Sequence, residues 1–419
     1  MANLLDKASI LLTASDYNSG SILAIKPING DGDSTFSRNS VATRTNEQGL
    51  INSVTTNLSR IDHTSGCGIW LLEPQSTNLI TQSELFSNSS WSKYNTSLSS
   101  GFLSPNGTNN AFKIIESTAT NLHIFRYQIA FQANQTHTLS VFLKQNGRSK
   151  FALAAGGVSL GLPSFQYRSG EFDLSNGTID REPTGGSATI TSFGNGWYRC
   201  TASFTPLVNG TGKFDIYLHD NNGNSNYTGN GVNGIYIYGA QLEKEVSYPT
   251  SYIPTSGIIS TRVREVVTDS GNASLINSEE GSLYLDIASL ANDGTLRSIG
   301  LSDGTINNVA YIGFNSTDNQ IIAIYKVAGV VTASLSYTVT DVTSFNKICF
   351  TFSVNNFYLE INGSTVDSST SGSVAASSTF TKLNFDIGDS TQKMFCKLNC
   401  VAVFKEVLTS QQRASLTTI

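Results

Sequence analysis

From residue 96 to about 260, apolar and polar side chains alternate with a period of two, the pattern of strands that bury one face. HTLSVFLKQ sets Leu139, Val141 and Leu143 against Ser140, Phe142 and Lys144. KFDIYLHD sets Phe214, Ile216 and Leu218 against Asp215, Tyr217 and His219, and GIYIYGAQLE sets Ile235 and Ile237 against Tyr236 and Tyr238. NGR, SNGT, GNG and DNNGN supply turns between strands, each with a residue that tolerates positive φ. A second series begins near residue 266, with GSLYLDIA, NVAYIGF, QIIAIYKV, SLSYTVT, KICFTFSV, NFYLEING, LNFDIG and LNCVAVF as its strands. VNNFYLEING predicts a hairpin with Asn355-Asn356 at one turn and Asn362-Gly363 at the next. With no helical periodicity between the strands, the expectation is an all-β chain of two antiparallel β-sandwiches in tandem. A short terminal helix is expected after Thr409, whose spacing from Gln412 is that of a capping box.

Upstream of the strands the texture changes. LLDKASILL fits one helical face through Leu4, Leu5, Ala8, Leu11 and Leu12, or a strand. A polar ribbon, FSRNSVATRTNEQGLINSV, follows. Residues 68–91, GIWLLEPQSTNLITQSELFSNSSW, begin apolar, and Pro74 stops strand pairing after Leu71 and Leu72. Gln75, Asn78 and Gln82 are then available to satisfy backbone groups that have no ladder to join, and Trp91 closes the stretch as an anchor. It reads as a structural clasp tied by Glu73, Pro74, Asn78 and Trp91 rather than as a ligand site. YPTSYIPTSG reads as an ordered exit. The expected division is an extended N-terminal segment at 1–65, clasp plus first sandwich at 66–265, and second sandwich at 266–419.

Composition narrows the function classes. Hydrophobic residues make up 39% and charged residues only 14% of 419 positions, while 22 Phe and 16 Tyr suffice for more than one core. The net charge of −5 without a basic cluster excludes a nucleic-acid partner. No apolar run reaches the ~20 residues of a membrane-spanning helix, so membrane insertion is not expected. The N-terminus MANLLDKAS lacks the plan of a secretory signal. Cys67, Cys200, Cys349, Cys396 and Cys400 have no metal-site spacing and read as small hydrophobes, with Cys396 and Cys400 on one strand face. Asp31 and Asp33 in INGDGDS lack the later Glu of a calcium loop. No metal, cofactor or enzyme motif is found. Glu171 with Asp173 and Glu243 with Glu245 read as solvated strand faces, since glycoside hydrolysis needs carboxylates facing each other across a cleft.

The polar strand faces hold the candidate chemistry. Phe142, Tyr217, His219, Tyr236 and Tyr238 offer rings on which sugars stack, and Lys144 and Asp215 offer hydrogen bonds to hydroxyls. The alternative is that these rings pack under the N-terminal segment or against a second subunit. Trp197 and Tyr198 in GNGWYRC read as core residues at the start of a strand.

Four strings, FSRNSVATRTNEQGLI, GIWLLEPQSTNLITQSELFSNSSW, ITSFGNGWYRCTASF and GIYIYGAQLEKEVSYPTSYIPTSG, together resemble bacteriophage virion proteins over about residues 10–264. In that group an N-terminal segment leads into a jelly-roll similar to carbohydrate-binding modules. NKICFTFSVNNFYLEINGSTV and the stretch from KLNFDIG to QQRASL are similar to laminin-G/concanavalin-A-like sandwiches. The matched positions include Arg44, Gly49, Leu72, Glu73, Pro74, Asn78, Trp91, Trp197, Tyr198, Gln241 and Tyr252, and they read as fold signatures. The resemblance implies a non-enzymatic virion surface protein, made in the host bacterial cytoplasm, without cofactor. A homotrimeric tail fibre or receptor-binding protein that recognises a bacterial surface glycan, alongside other virion proteins, is the expectation. A head or tail decoration protein is the alternative, and a polysaccharide-degrading enzyme a third.

Overall fold

The computed structural model describes residues 4–18, 20–156 and 169–419. Nearly every described element is a strand, and the one α-helix among them, Ser410–Thr417, starts on the expected Thr409–Gln412 capping box. Two compact units divide the chain. The first comprises Met1–Val41, Val54–Pro74 and Val263–Ile419, and the second Ala42–Ser53 and Gln75–Arg262.

This grouping differs from the three consecutive segments expected from sequence. Residues 1–65 are no extended lead-in, because Ile10–Asn18 is an interior strand of the first unit. It is bonded to Ser21–Lys26 on one side and to Cys396–Phe404 on the other. The larger sheet continues through Glu280–Ser289, Asn346–Ser353, Asn356–Ile361 and Ser364–Ser369. Its partner runs Val330–Thr338, Gln320–Val327, Val309–Phe314, Arg297–Ser302, Lys382–Asn384. The inner residues Ile10, Leu12, Leu283, Leu285, Phe350 and Val401 meet Ile299, Leu301, Ile312 and Ile321 in one core, the arrangement of a two-sheet antiparallel sandwich. The hairpin turns fall where the sequence put them, with φ of 55° at Asn355, 50° at Asn362 and 85° at Gly363.

One face assignment is corrected. Leu398 pairs with Ile287 and Cys400 with Asp286, so Asn399 is an extra residue in its strand. This bulge turns Cys396 into the main core and Cys400 to the opposite face, among Leu11, Tyr284 and Cys349.

The first unit also explains Glu73. Arg38, Arg60, Glu73 and Glu265 form a buried ionic cluster. The Arg60 guanidinium donates to both Glu265 oxygens at 2.8 and 2.7 Å and to Glu73 at 2.8 Å. Arg38 donates to Glu265 at 2.7 Å and to the carbonyls of Leu58, Val54 and Thr55. Four charges with side chains 0–4% exposed are tolerable only because each is hydrogen-bonded by another.

The second unit is a jelly-roll-type sandwich whose chain passes repeatedly from sheet to sheet. One sheet runs Thr96–Phe102, Ala111–Glu116, Gly234–Lys244, His137–Asn146, Trp197–Phe204, Gly186–Ser192. The other runs Thr178–Arg181, Ser169–Asp173, Lys150–Gly156, Gly210–Leu218, Thr120–Phe131, with Trp91–Tyr94 paired beyond it. The aliphatic sides read from the alternation form the core: Leu139, Val141, Leu143, Ile235 and Ile237 face Phe125, Leu153, Phe214, Ile216 and Leu218.

The clasp residues of this unit are mostly buried and bonded to backbone groups. Trp91 is 1% exposed, stacks on Phe125 at 4.9 Å with parallel rings, and donates its Nε1–H to the Gln82 carbonyl at 2.9 Å. Asn78 spends its amide on four backbone groups: it donates to Ala240 and Ile253 and accepts from Ile80 and Leu242. Gln241 bonds Thr250 and Ile253 of the exit segment in the same manner. Gln75, expected to share this role, is exposed. Glu243 is not on a solvated face: it is fully buried and accepts from Ser76 and Thr250.

Candidate glycan-binding face

The seven residues expected to form one sugar platform lie on two different sheets of the second unit. Phe142 pairs across the ladder with Tyr238 and Lys144 with Tyr236, on the outer side of one sheet. Asp215, Tyr217 and His219 belong to the strand Gly210–Leu218 and its end, on the outer side of the other. The common core lies between the two groups, so they cannot form a single site.

The first group is also covered. Phe142 and Tyr238 are 1% and 2% exposed and pack with Ile51, Ala111, Trp197 and Tyr252. The Tyr238 and Tyr252 hydroxyls both donate to Glu84 at 3.1 Å. Burial, with Glu84 alongside, raises both phenols above their ordinary range. The alternative reading of these rings therefore holds: residues 42–53 and the exit segment lie over them. Tyr236 is half-buried against Phe102 at 4.7 Å, and Lys144 caps the turn by donating to the Asn195 carbonyl. Trp197 joins this second cluster, whereas Tyr198 packs toward the main core.

The second group sits in a different setting. Arg126, on Thr120–Phe131, lies directly across from Asp215 and grips it with two bonds, Nε to Oδ1 at 2.6 Å and Nη2 to Oδ2 at 2.8 Å. The Tyr217 hydroxyl donates to the same carboxylate at 3.2 Å. Burial first, and Asp215 second, push the Tyr217 phenol up to about 12. The Arg126 guanidinium stands over the Tyr94 ring at 4.9 Å, and Tyr94 is 48% exposed. Small residues flank the pair, Ala154 opposite Asp215 and Ala152 opposite Tyr217.

The next strand extends this polar surface. Glu171 pairs in register with Ala152 and accepts from Arg181 at 2.6 Å. Lys150 is bonded to Asp173 and Asp180. His219 is 3% exposed, its Nε2 makes no hydrogen bond among the described residues, and burial lowers its basicity despite nearby Glu171. Arranged along six neighbouring strands, from Trp91–Tyr94 to Thr178–Arg181, these groups form a set of fixed donors and acceptors beside an open aromatic ring. Such a set suits hydrogen bonding to a polyhydroxylated ligand.

Sequence reasoning found Asp215, Tyr217 and His219 but missed Tyr94, Arg126 and Arg181. A signal was present in NLHIFRYQIAF, where Leu122, Ile124 and Arg126 alternate with His123, Phe125 and Tyr127. An arginine on the outer side of such a strand can pair with a carboxylate on a neighbouring strand, and Asp215 was one of the candidates.

No family model matches the chain, and no curated protein matches it. Among solved structures, it is similar to a carbohydrate-binding module of family 40 from a Ruminococcus gnavus sialidase, bound to α2,3-sialyllactose. That likeness has 10% identity and a TM-score of 0.30, and covers 35% of this chain and 92% of that one. Domains LG4-5 of the mouse laminin α1 chain align at 10% identity and a TM-score of 0.23, over 68% of this chain and 87% of that one. A pentraxin from Limulus polyphemus aligns at 15% identity and a TM-score of 0.26, over 33% and 70%. Overlaps this loose leave the reading of the site to its own geometry.

Proposed function

We propose that the chain is a non-enzymatic surface protein of a bacteriophage virion, a tail-fibre or receptor-binding component that recognises a bacterial surface glycan. The observation that carries glycan recognition is the fixed Arg126–Asp215 pair between Tyr94 and Tyr217 on an outer sheet face. Sugars are held by such combinations, in which a ring supplies an apolar platform and planar charged groups bond adjacent hydroxyls. The virion setting is supported by the four strings that resemble phage virion proteins. A homotrimer and contacts with other virion proteins belong to the same reading.

The carboxylates of this face support binding rather than cleavage. A glycosidase acid needs a raised pKa at neutral pH. Here Asp215 and Glu171 are each engaged by an arginine, and Asp173 is held down to about 2.

Titrating the full chain against whole host cells and a glycan array tests the proposal. Tyr94→Ala and Tyr217→Ala are each expected to weaken binding about tenfold, the scale of one lost aromatic or charge-assisted contact. Lys144→Ala, on the other sheet, should leave it unchanged. Equal losses in all three variants would remove the face from the proposal. Adsorption unchanged in a virus lacking residues 75–262 would remove receptor binding and favour the decoration role.

A further inference from the structure

Resting on the glycan-binding reading of the same face, we infer that its ligand is an uncharged glycan, and that Asp215 excludes acidic sugars by occupying Arg126. An acidic sugar is held by an unmatched guanidinium, whose planar fork takes a carboxylate with two parallel bonds. On this face that position is already filled. Both Arg126 bonds run side-on to Asp215, which is 1% exposed, so an incoming carboxylate would have to displace a buried one.

Two further cations among the described residues are matched as well. Arg181 is held by Glu171 at 2.6 Å, and Lys150 lies between Asp173 and Asp180. The two aspartates around Lys150 leave one negative charge in excess, and Lys213, two residues before Asp215 on its strand, offsets it. Among the described residues, Arg126, Arg181, Lys150 and Lys213 thus balance Asp215, Glu171, Asp173 and Asp180, and Asp220 beside His219 adds one negative charge, on a chain whose own net charge is −5. Nothing in that balance concentrates an anionic polymer at the site.

What the pair does offer suits hydroxyls. A guanidinium has five N–H donors in one plane, of which Asp215 takes two. Hydroxyls of a pyranose can accept from Arg126, the more exposed partner, without separating the two charges. Gln128 lies in register with Lys213 and adds a neutral donor and acceptor beside them.

The experiment is a binding titration of the full chain with two sets of oligosaccharides of equal length. One set ends in neutral hexoses or 6-deoxyhexoses, the other in glucuronate, galacturonate or sialate. The wild-type chain is expected to favour the neutral set by about tenfold or more. Its binding should change little between about 50 and about 500 mM salt, because no net charge is neutralised. Asp215→Asn releases Arg126 and is expected to narrow or reverse the preference, with acidic binding now falling as salt rises. A wild-type preference for acidic sugars, or steep salt dependence of its binding, overturns the inference while leaving glycan recognition in place. So does an unchanged ratio in a folded Asp215→Asn. If the variant does not fold, the wild-type selectivity and salt response decide alone. Failure of the wild-type chain to bind either set overturns the glycan reading itself.

Discussion

Single residues in this protein show what alternation along a strand reveals and what it conceals. The period of two assigned Phe142 and Tyr238 to the side opposite Leu139 and Ile237, and that is where they are. It said nothing about what lies over them, because Ile51 and Tyr252 come from about a hundred residues away or from beyond the last strand. Nor does it tell which sheet a strand joins, and so residues from two outer faces were merged into one platform. Asp173 carries a consequence that can be measured. Burial alone would raise its pKa, but the Ser175 hydroxyl and amide and the Lys150 ammonium together hold it down to about 2. A carboxyl with a lowered folded pKa stabilises above its unfolded value near 3.8, and that contribution disappears as pH falls through about 2. Asp173→Asn is therefore expected to be less stable than wild type at pH 6. Urea midpoints of the two proteins should converge between about pH 4 and pH 2. A constant gap across that range would show that the charge of Asp173 contributes nothing.

At the scale of elements, the clasp was the most legible feature and also the most economical. Pro74 and the amides after it announce a segment outside any long ladder, and Asn78 replaces that ladder with its own side chain. The bulge at Asn399 left no such mark, since CKLNCVAVF alternates as well with an extra residue as without one. Register depends on the partner strand, which a single sequence does not display. Asn78→Leu would leave four buried backbone groups without partners, each costing about 1–3 kcal/mol when unsatisfied. Relaxation will recover part of this, so a loss of about 3 kcal/mol is expected by chemical denaturation. Binding per folded molecule should be unaltered, because Asn78 is fully buried and lies off the Arg126 face. A variant of wild-type stability with weakened binding would make the clasp part of the site.

The whole molecule is organised by interleaving, the part of the design that sequence texture hid most completely. A boundary near residue 266 looked natural because a fresh series of strands begins there, and the series does form a sandwich. That sandwich, however, is completed by residues from the other end of the chain. Cys396–Phe404 is hydrogen-bonded along Ile10–Asn18, and Ile69–Leu71 also pairs with it. Ile10, Leu12, Ile22, Ile61, Trp70 and Leu72 all belong to its main core. Glu265 is paired with Arg38 and Arg60 from upstream. A fragment of residues 266–419 would thus keep its hairpins while exposing one edge of Cys396–Phe404 and an apolar inner surface. Unpaired edges and uncovered apolar faces of this kind lead to aggregation rather than to a smaller fold. The fragment is expected to lack a cooperative thermal transition and to bind a hydrophobic dye. Supplying residues 1–74 in trans should restore the transition. Cooperative unfolding of the fragment alone, with no dye binding, would mean that the N-terminal strands decorate a self-sufficient domain and that the sequence boundary was the physical one.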